Sequence, residues 1–231
     1  MILTAHQPVY LPWLGLFNKI ASSDLFCYFD IVQYQTRDYN NRNKIKTNSG
    51  VQWLSVPVES KNHLSKTVGE IRIVQDGWQK KHIRTIELQY KKAPHFGKYF
   101  NQISQVIMES STSTLGELNL RMLKELNSIL GIHTPIVVAS DYDFQGVKSD
   151  LVLDMCKKLG ASKYIFGSQG RCYADLGSFH AAGITPIFQE YIHPTYSQMR
   201  GTFVPNMSVL DLIFNMGDQS LSILMRDNTL V

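Results

Sequence analysis

The chain has 231 residues, 44% hydrophobic and 18% charged, which is enough apolar material for a sizeable core and excludes a disordered chain. Its formal net charge is only +4, and the basic residues are scattered apart from short runs at 42–46, 61–66 and 79–84. A nucleic-acid binder carries a denser stripe and a known motif, so the balance points away from nucleic acid and toward a small anionic substrate.

Cys27, Cys156 and Cys172 are odd in number, far apart and without CxxC spacing. That argues against a disulfide framework or structural zinc and predicts buried free thiols. No apolar run approaches the roughly 20 residues that span a bilayer. The apolar start ends at His6, too short for a signal core. The expectation is a soluble, cytoplasmic protein with no membrane span.

Residues 2–5 read as a buried strand, stopped by His6-Gln7-Pro8, and Pro8 and Pro12 bracket a rigid loop. Over 13–21, Trp13, Leu14, Phe17 and Ile20 recur at helical spacing. Residues 25–29 form a second apolar strand ending at Asp30. Strand, loop, helix and strand place the first loop at the carboxyl edge of a parallel sheet, where ligands bind. Residues 31–50 are polar and lead to a strand at 51–58, a polar stretch at 59–66 and an alternating strand at 70–74.

Helical segments follow from Gly77 to Pro94, over 96–108 and over 115–130, the last closed by Gly131. Trp78, His82, Ile86 and Tyr90 share one side of the first. Beyond these, 135–139, 164–166 and 184–188 read as strands, and 149–159 and 176–182 as helices stopped by Gly160 and Gly183. A closing helix covers 208–215. The alternation predicts a single α/β domain over 1–231: a mostly parallel, twisted, Rossmann-like sheet with helices on both faces and a helical elaboration at 77–131.

His6 follows the first strand, where an imidazole can move a proton or stabilise charge on a phosphate; otherwise it caps the strand. Gln7 and Tyr10 share its loop. Asp30 can act as a base, hold a hydroxyl or bind Mg2+ through water, and can equally cap a turn, with Gln33 close behind. Asn41, Arg42, Asn43, Lys44 and Lys46 form the densest polar patch, either a solvated loop or an anion pocket facing His6.

His82 among aromatic residues reads as a core histidine. The stretch around His193, Pro194, Tyr196, Gln198 and Arg200 reads as a shaped loop, either part of a site or simple architecture. In Gly167-Ser168-Gln169-Gly170 the glycines let the backbone approach a ligand. The run is neither GxSxG, GxGxxG nor a P-loop, and no transition-metal spacing occurs.

His6-Gln7-Pro8-Val9-Tyr10-Leu11-Pro12-Trp13-Leu14-Gly15, with Phe17, Lys19 and Ile20, resembles the opening of the WbqC-like family. The resemblance continues through Asp30, Gln33-Tyr34, 41–46, 52–58, Gly167–Gly170, Tyr173, His193-Pro194-Thr195-Tyr196 and 208–211, nearly the whole chain. It implies a bacterial transferase or ligase of O-antigen-type surface-polysaccharide (lipopolysaccharide) biosynthesis, acting on a nucleotide-linked sugar. Acyl or aminoacyl transfer to an amino sugar is the candidate reaction. A non-catalytic protein that binds a sugar nucleotide or a partner in a biosynthetic complex is the alternative. On the enzymatic reading His6 and Asp30 are catalytic. Gln7, Tyr10, Gln33, Asn41, Arg42, Lys44, Lys46, Ser168, Gly170, Tyr173, His193 and Tyr196 bind substrate. The cofactor stays open, a nucleotide with Mg2+ being compatible, and so does the oligomeric state. The order of elements is also similar to nucleotidylyltransferase-like domains of the HIGH type, though no HxGH is present and the likeness is an analogy.

Overall fold

The structure, a computed structural model, describes residues 1–59, 61, 63–110, 114–226 and 228. In the polar stretch after Val58, Ser60 and Asn62 lie outside the described residues. Strand β1 (Ile2–His6) runs into helix α1 (Leu14–Ala21) and strand β2 (Leu25–Tyr28). A hairpin of β3 (Arg42–Thr47) and β4 (Gly50–Ser55) follows, then helices α2 (Trp78–Tyr90), α3 (Phe96–Met108) and α4 (Leu115–Leu130). The chain then alternates through β5 (Ile136–Val138), α5 (Ser149–Lys158), β6 (Lys163–Phe166), α6 (Leu176–Ala181) and β7 (Thr185–Phe188), and closes with α7 (Val209–Met216) and α8 (Ser220–Leu224).

Among the described residues the main sheet has five strands in the order β5-β2-β1-β6-β7, every pair parallel. The expected α/β fold with a Rossmann-like sheet is therefore present. Period-2 alternation sends side chains to both faces. Phe26, Tyr28, Ile136 and Val138 join a core built with α1, α2, α3, α4, α7 and α8. Leu3, Ala5, Cys27, Val137, Tyr164 and Phe166 join a second core with α5 and α6. On β1 the buried Thr4 hydroxyl donates to the Ile165 carbonyl at 2.8 Å, so no polar group is stranded between the central strands.

After β5 the chain crosses back to lay β6 on the other side of β1. The order reverses at that point, and the loops after β1 and β6 splay apart at the carboxyl edge. This topology leaves a crevice there.

Local chemistry explains the helix ends. Thr114 and Glu117 close a reciprocal box at the start of α4, and Gly131 ends the helix in the left-handed region at φ 73°.

Three sequence expectations are corrected. The polar stretch 31–50 contains a strand, β3, paired antiparallel with β4 in a ribbon of its own. Its inward positions are Asn43 and Ile45, and Asn43 donates to the Leu11 carbonyl at 2.6 Å; an asparagine on the buried face hides the apolar alternation. Residues 70–74 are not a strand: Val68–Glu70 forms a 3-10 turn boxed by Thr67 and Glu70, followed by isolated bridges. The turn is pressed against α4, where a Cβ at Gly116 would meet Gly69 Cα at 2.8 Å. Finally, Cys27 and Cys156 are buried thiols, but Cys172 is exposed. Helix α8, too short to show a period, was not anticipated.

Candidate functional site

A cleft of about 440 Å³ opens at the reversal between β1 and β6. His6 and Gln7 border it from the end of β1, Gly167, Ser168 and Gln169 from the end of β6, and Gln189 and Tyr191 from beyond β7. Helix α1 contributes Gly15 and Lys19. Gln189 is locked by bonds to the Gly15 carbonyl (2.8 Å) and Asn18 Oδ1 (2.7 Å). Gly15 is needed for close approach, because a Cβ there would sit 3.0 Å from the Tyr191 ring.

The His6 ring has a defined proton arrangement. Nδ1 lies 2.8 Å from the Gln7 carbonyl, which only accepts, so Nδ1 carries the hydrogen and Nε2 keeps its lone pair. Burial, with help from the nearby Lys19 charge, pushes the His6 pKa down to about 4. The imidazole is neutral at pH 7 and wedged edge-on against Trp13, 5.3 Å between ring centroids. Gln7 donates to Asp38 at 3.0 Å, and the Tyr39 amide holds the other Asp38 oxygen at 2.7 Å.

Lys19 is almost fully buried and donates to the Ala5 carbonyl at 2.9 Å. Burial pulls its pKa down to about 8. The Tyr191 hydroxyl is buried in the cleft wall without a hydrogen-bond partner, and burial raises its pKa.

Of the residues expected at the site, His6, Gln7 and Ser168 border this cleft. Lys44 lines a neighbouring depression of about 260 Å³ that shares Trp13 and Tyr39 as a common wall. Arg42 lies over the Trp53 ring at 4.3 Å, with Lys44 at 5.1 Å, and Arg42 also donates to the Arg37 carbonyl. Asn41 donates to the Val56 carbonyl at 2.8 Å.

Lys46 is buried and bound to Gln198 (3.0 Å) and the Thr202 carbonyl (2.8 Å). Gln198 in turn meets the buried Asp211, whose carboxylate also accepts from Tyr90 (2.9 Å) and Tyr196 (2.8 Å). Burial raises the Asp211 pKa despite those donors. Lys46 and Tyr196 thus belong to an interior network joining β3, α2 and α7.

The remaining expected residues are spread over the molecule. Tyr10 is buried with its hydroxyl 2.9 Å from His82 Nδ1. Asp30 receives the Ser140 amide (3.0 Å) and hydroxyl (2.8 Å). Gln33 donates to the Leu64 carbonyl at 2.6 Å. Gly170 packs so closely on Phe166 that a Cβ would meet its Cβ at 2.5 Å. Tyr173 is exposed, edge-on to Phe166. His193 uses both ring nitrogens, donating to the Pro194 carbonyl (2.9 Å) and accepting from the Asn206 amide (3.2 Å).

Sequence reasoning missed Lys19, Asp38, Gln189 and Tyr191. Lys19 had a signal: a lysine in a helix otherwise apolar enough to be buried all round is anomalous. Among the described residues no group of His, Cys, Asp and Glu is placed to hold a metal ion, and no helix is long and apolar enough to cross a membrane.

No solved structure matches the chain. "Uncharacterized protein Rv1507c" of Mycobacterium tuberculosis (strain ATCC 25618 / H37Rv) is 35% identical over 215 residues, covering 93% of each chain. The model of the WbqC-like protein family matches residues 7–223. On a match that covers nearly all of the sequence from Gln7 onward, the chain belongs to the WbqC-like protein family.

Proposed function

We propose that the protein is a cytoplasmic group-transfer enzyme of O-antigen-type surface-polysaccharide biosynthesis in bacteria, which passes an acyl or aminoacyl group to a nucleotide-linked amino sugar. One observation carries the catalytic part: a neutral His6 bordering the cleft at the sheet reversal, its tautomer set by the Gln7 carbonyl, with no hydrogen bond to Nε2 among the described residues. As the sugar nitrogen attacks the acyl carbon, Nε2 accepts the N–H proton and the new C–N bond forms. The bond to the leaving group breaks with its electron pair, and Nε2 returns the proton to that group. A low histidine pKa suits the second half, since the imidazolium is a strong acid that gives its proton back readily. Arg42 and Lys44, beyond the wall of Trp13 and Tyr39, are the proposed partners of the nucleotide phosphates. The Gly167–Gln169 backbone is the proposed source of further donors.

The test is mass spectrometry of nucleotide sugars incubated with acyl-CoAs, or with ATP and amino acids. Replacing His6 with Ala is expected to lower turnover by about a hundredfold or more, with ligand binding and melting temperature nearly kept. Arg42→Ala is expected to weaken nucleotide-sugar binding. If the wild-type protein binds a nucleotide sugar in thermal shift but yields no product with any donor, it is instead a non-catalytic sugar-nucleotide binder of a biosynthetic complex.

A further inference from the structure

Among the described residues, the buried Lys19 ammonium of the cleft has no counter-charge within ion-pair distance. Its Nζ has three protons to place, and among the described residues its hydrogen-bond partner is the Ala5 carbonyl alone. Asp38, the carboxylate of the same cleft, is taken by Gln7 and the Tyr39 amide, and His6 is neutral beside it. Taking an ammonium out of water is costly unless an anion or several acceptors replace the lost hydration. Natural sequences seldom keep such a group where a methionine would pack.

We propose that Lys19 is an oxyanion-binding subsite within the cleft, receiving a carboxylate or phosphoryl oxygen of the bound substrate. The subsite is separate from the Arg42 and Lys44 face across the aromatic wall, so a ligand spanning both carries negative charge at two places. The inference rests on the cleft being the ligand site proposed above, and not on which group is transferred. Burial alone leaves the Lys19 pKa at about 8, low enough for its titration to stand apart from those of exposed lysines. An oxyanion docked on the ammonium raises that value again.

The experiment is an NMR titration of protein labelled at lysine Cε and Nζ. The lysine that titrates near pH 8 is followed at constant ionic strength without added anion, with inorganic phosphate and with acetate. Lys19→Met confirms the assignment, and Lys19→Arg replaces it should the methionine variant fail to fold. At least one anion is expected to shift the signal saturably and raise its pKa by about one unit or more. A response to phosphate alone identifies a phosphoryl partner, and a response to acetate alone a carboxylate. If neither anion moves the Lys19 pKa, or the Lys19→Met protein binds them as the wild type does, the subsite does not exist. Neither reading depends on turnover, so a failure of the transferase assay would leave this result standing.

Discussion

His6 and His82 are both pushed down to about pKa 4, chiefly by burial, and they share a consequence for stability. In the unfolded chain each takes a proton near its ordinary 6.5, while the folded protein resists protonation until about pH 4. Between those values the unfolded state binds more protons. Stability present above pH 6.5 is therefore lost as the pH falls toward 4. For His82, 6% exposed and bonded to the Tyr10 hydroxyl, the shift corresponds to about 3 kcal/mol. Urea melts at pH 7 and pH 4.5 are expected to show this loss. The His82→Gln protein, whatever its stability at pH 7, is expected to show a shallower decline. An unchanged decline would mean that His82 is already protonated in the folded state.

Single residues also explain what could be read before folding. His6 was recognisable because it directly follows an apolar strand, and topology assigns such loops to the carboxyl edge. Asp38, Gln189 and Tyr191 belong to loops whose sequences carry no period. Only the completed sheet brings them within reach of His6. Lys46 illustrates the reverse error: three cations at alternate positions share one strand face and look like one anion pocket, yet the segment bearing Gln198 and Thr202 covers the third and binds it.

Among the elements, the best-read are those with a clear period and clear punctuation, such as α3, α4, α5 and the parallel strands. The β3–β4 ribbon was half-read because Asn43 and Lys46 occupy buried positions that an apolar pattern would reserve for aliphatic residues. That ribbon shares the apolar core with α2 and α7 through Ile45 and Leu54, and polar contacts tie it to them as well. Lys46 N–H donates to the Tyr90 hydroxyl at 3.1 Å, which donates to Asp211 at 2.9 Å. Removing the carboxylate takes the acceptor from two tyrosine hydroxyls, one bond from the Gln198 amide and a nearby negative charge from Lys46. Asp211→Ala is expected to cost about 3 kcal/mol or more in denaturant unfolding, whereas Asp211→Asn, which keeps acceptors, costs less. Equal losses for the two would show that the carboxylate charge, not its accepting geometry, holds the ribbon.

For the whole molecule, the order β5-β2-β1-β6-β7 puts an early strand at the centre and its later neighbour far down the chain. Thr4 and Ile165, bonded across β1 and β6, are separated by 161 positions. During synthesis β1 can pair with β2 soon after emerging, but its other flank has no mate until Lys163–Phe166 leaves the ribosome. Contacts of such long range slow folding, and an unpaired flank is a template for intermolecular pairing. A chain halted at Lys158 is expected to sediment as aggregate or stay chaperone-bound, while full-length protein refolds to a monodisperse species. A halted chain that stays dispersed and exchange-protected over β1 would show that the N-terminal part folds alone. The crevice that the strand reversal creates is thus completed only late in translation, so nascent chains pass through an interval in which half of that rim is missing and the sheet beneath it is adhesive.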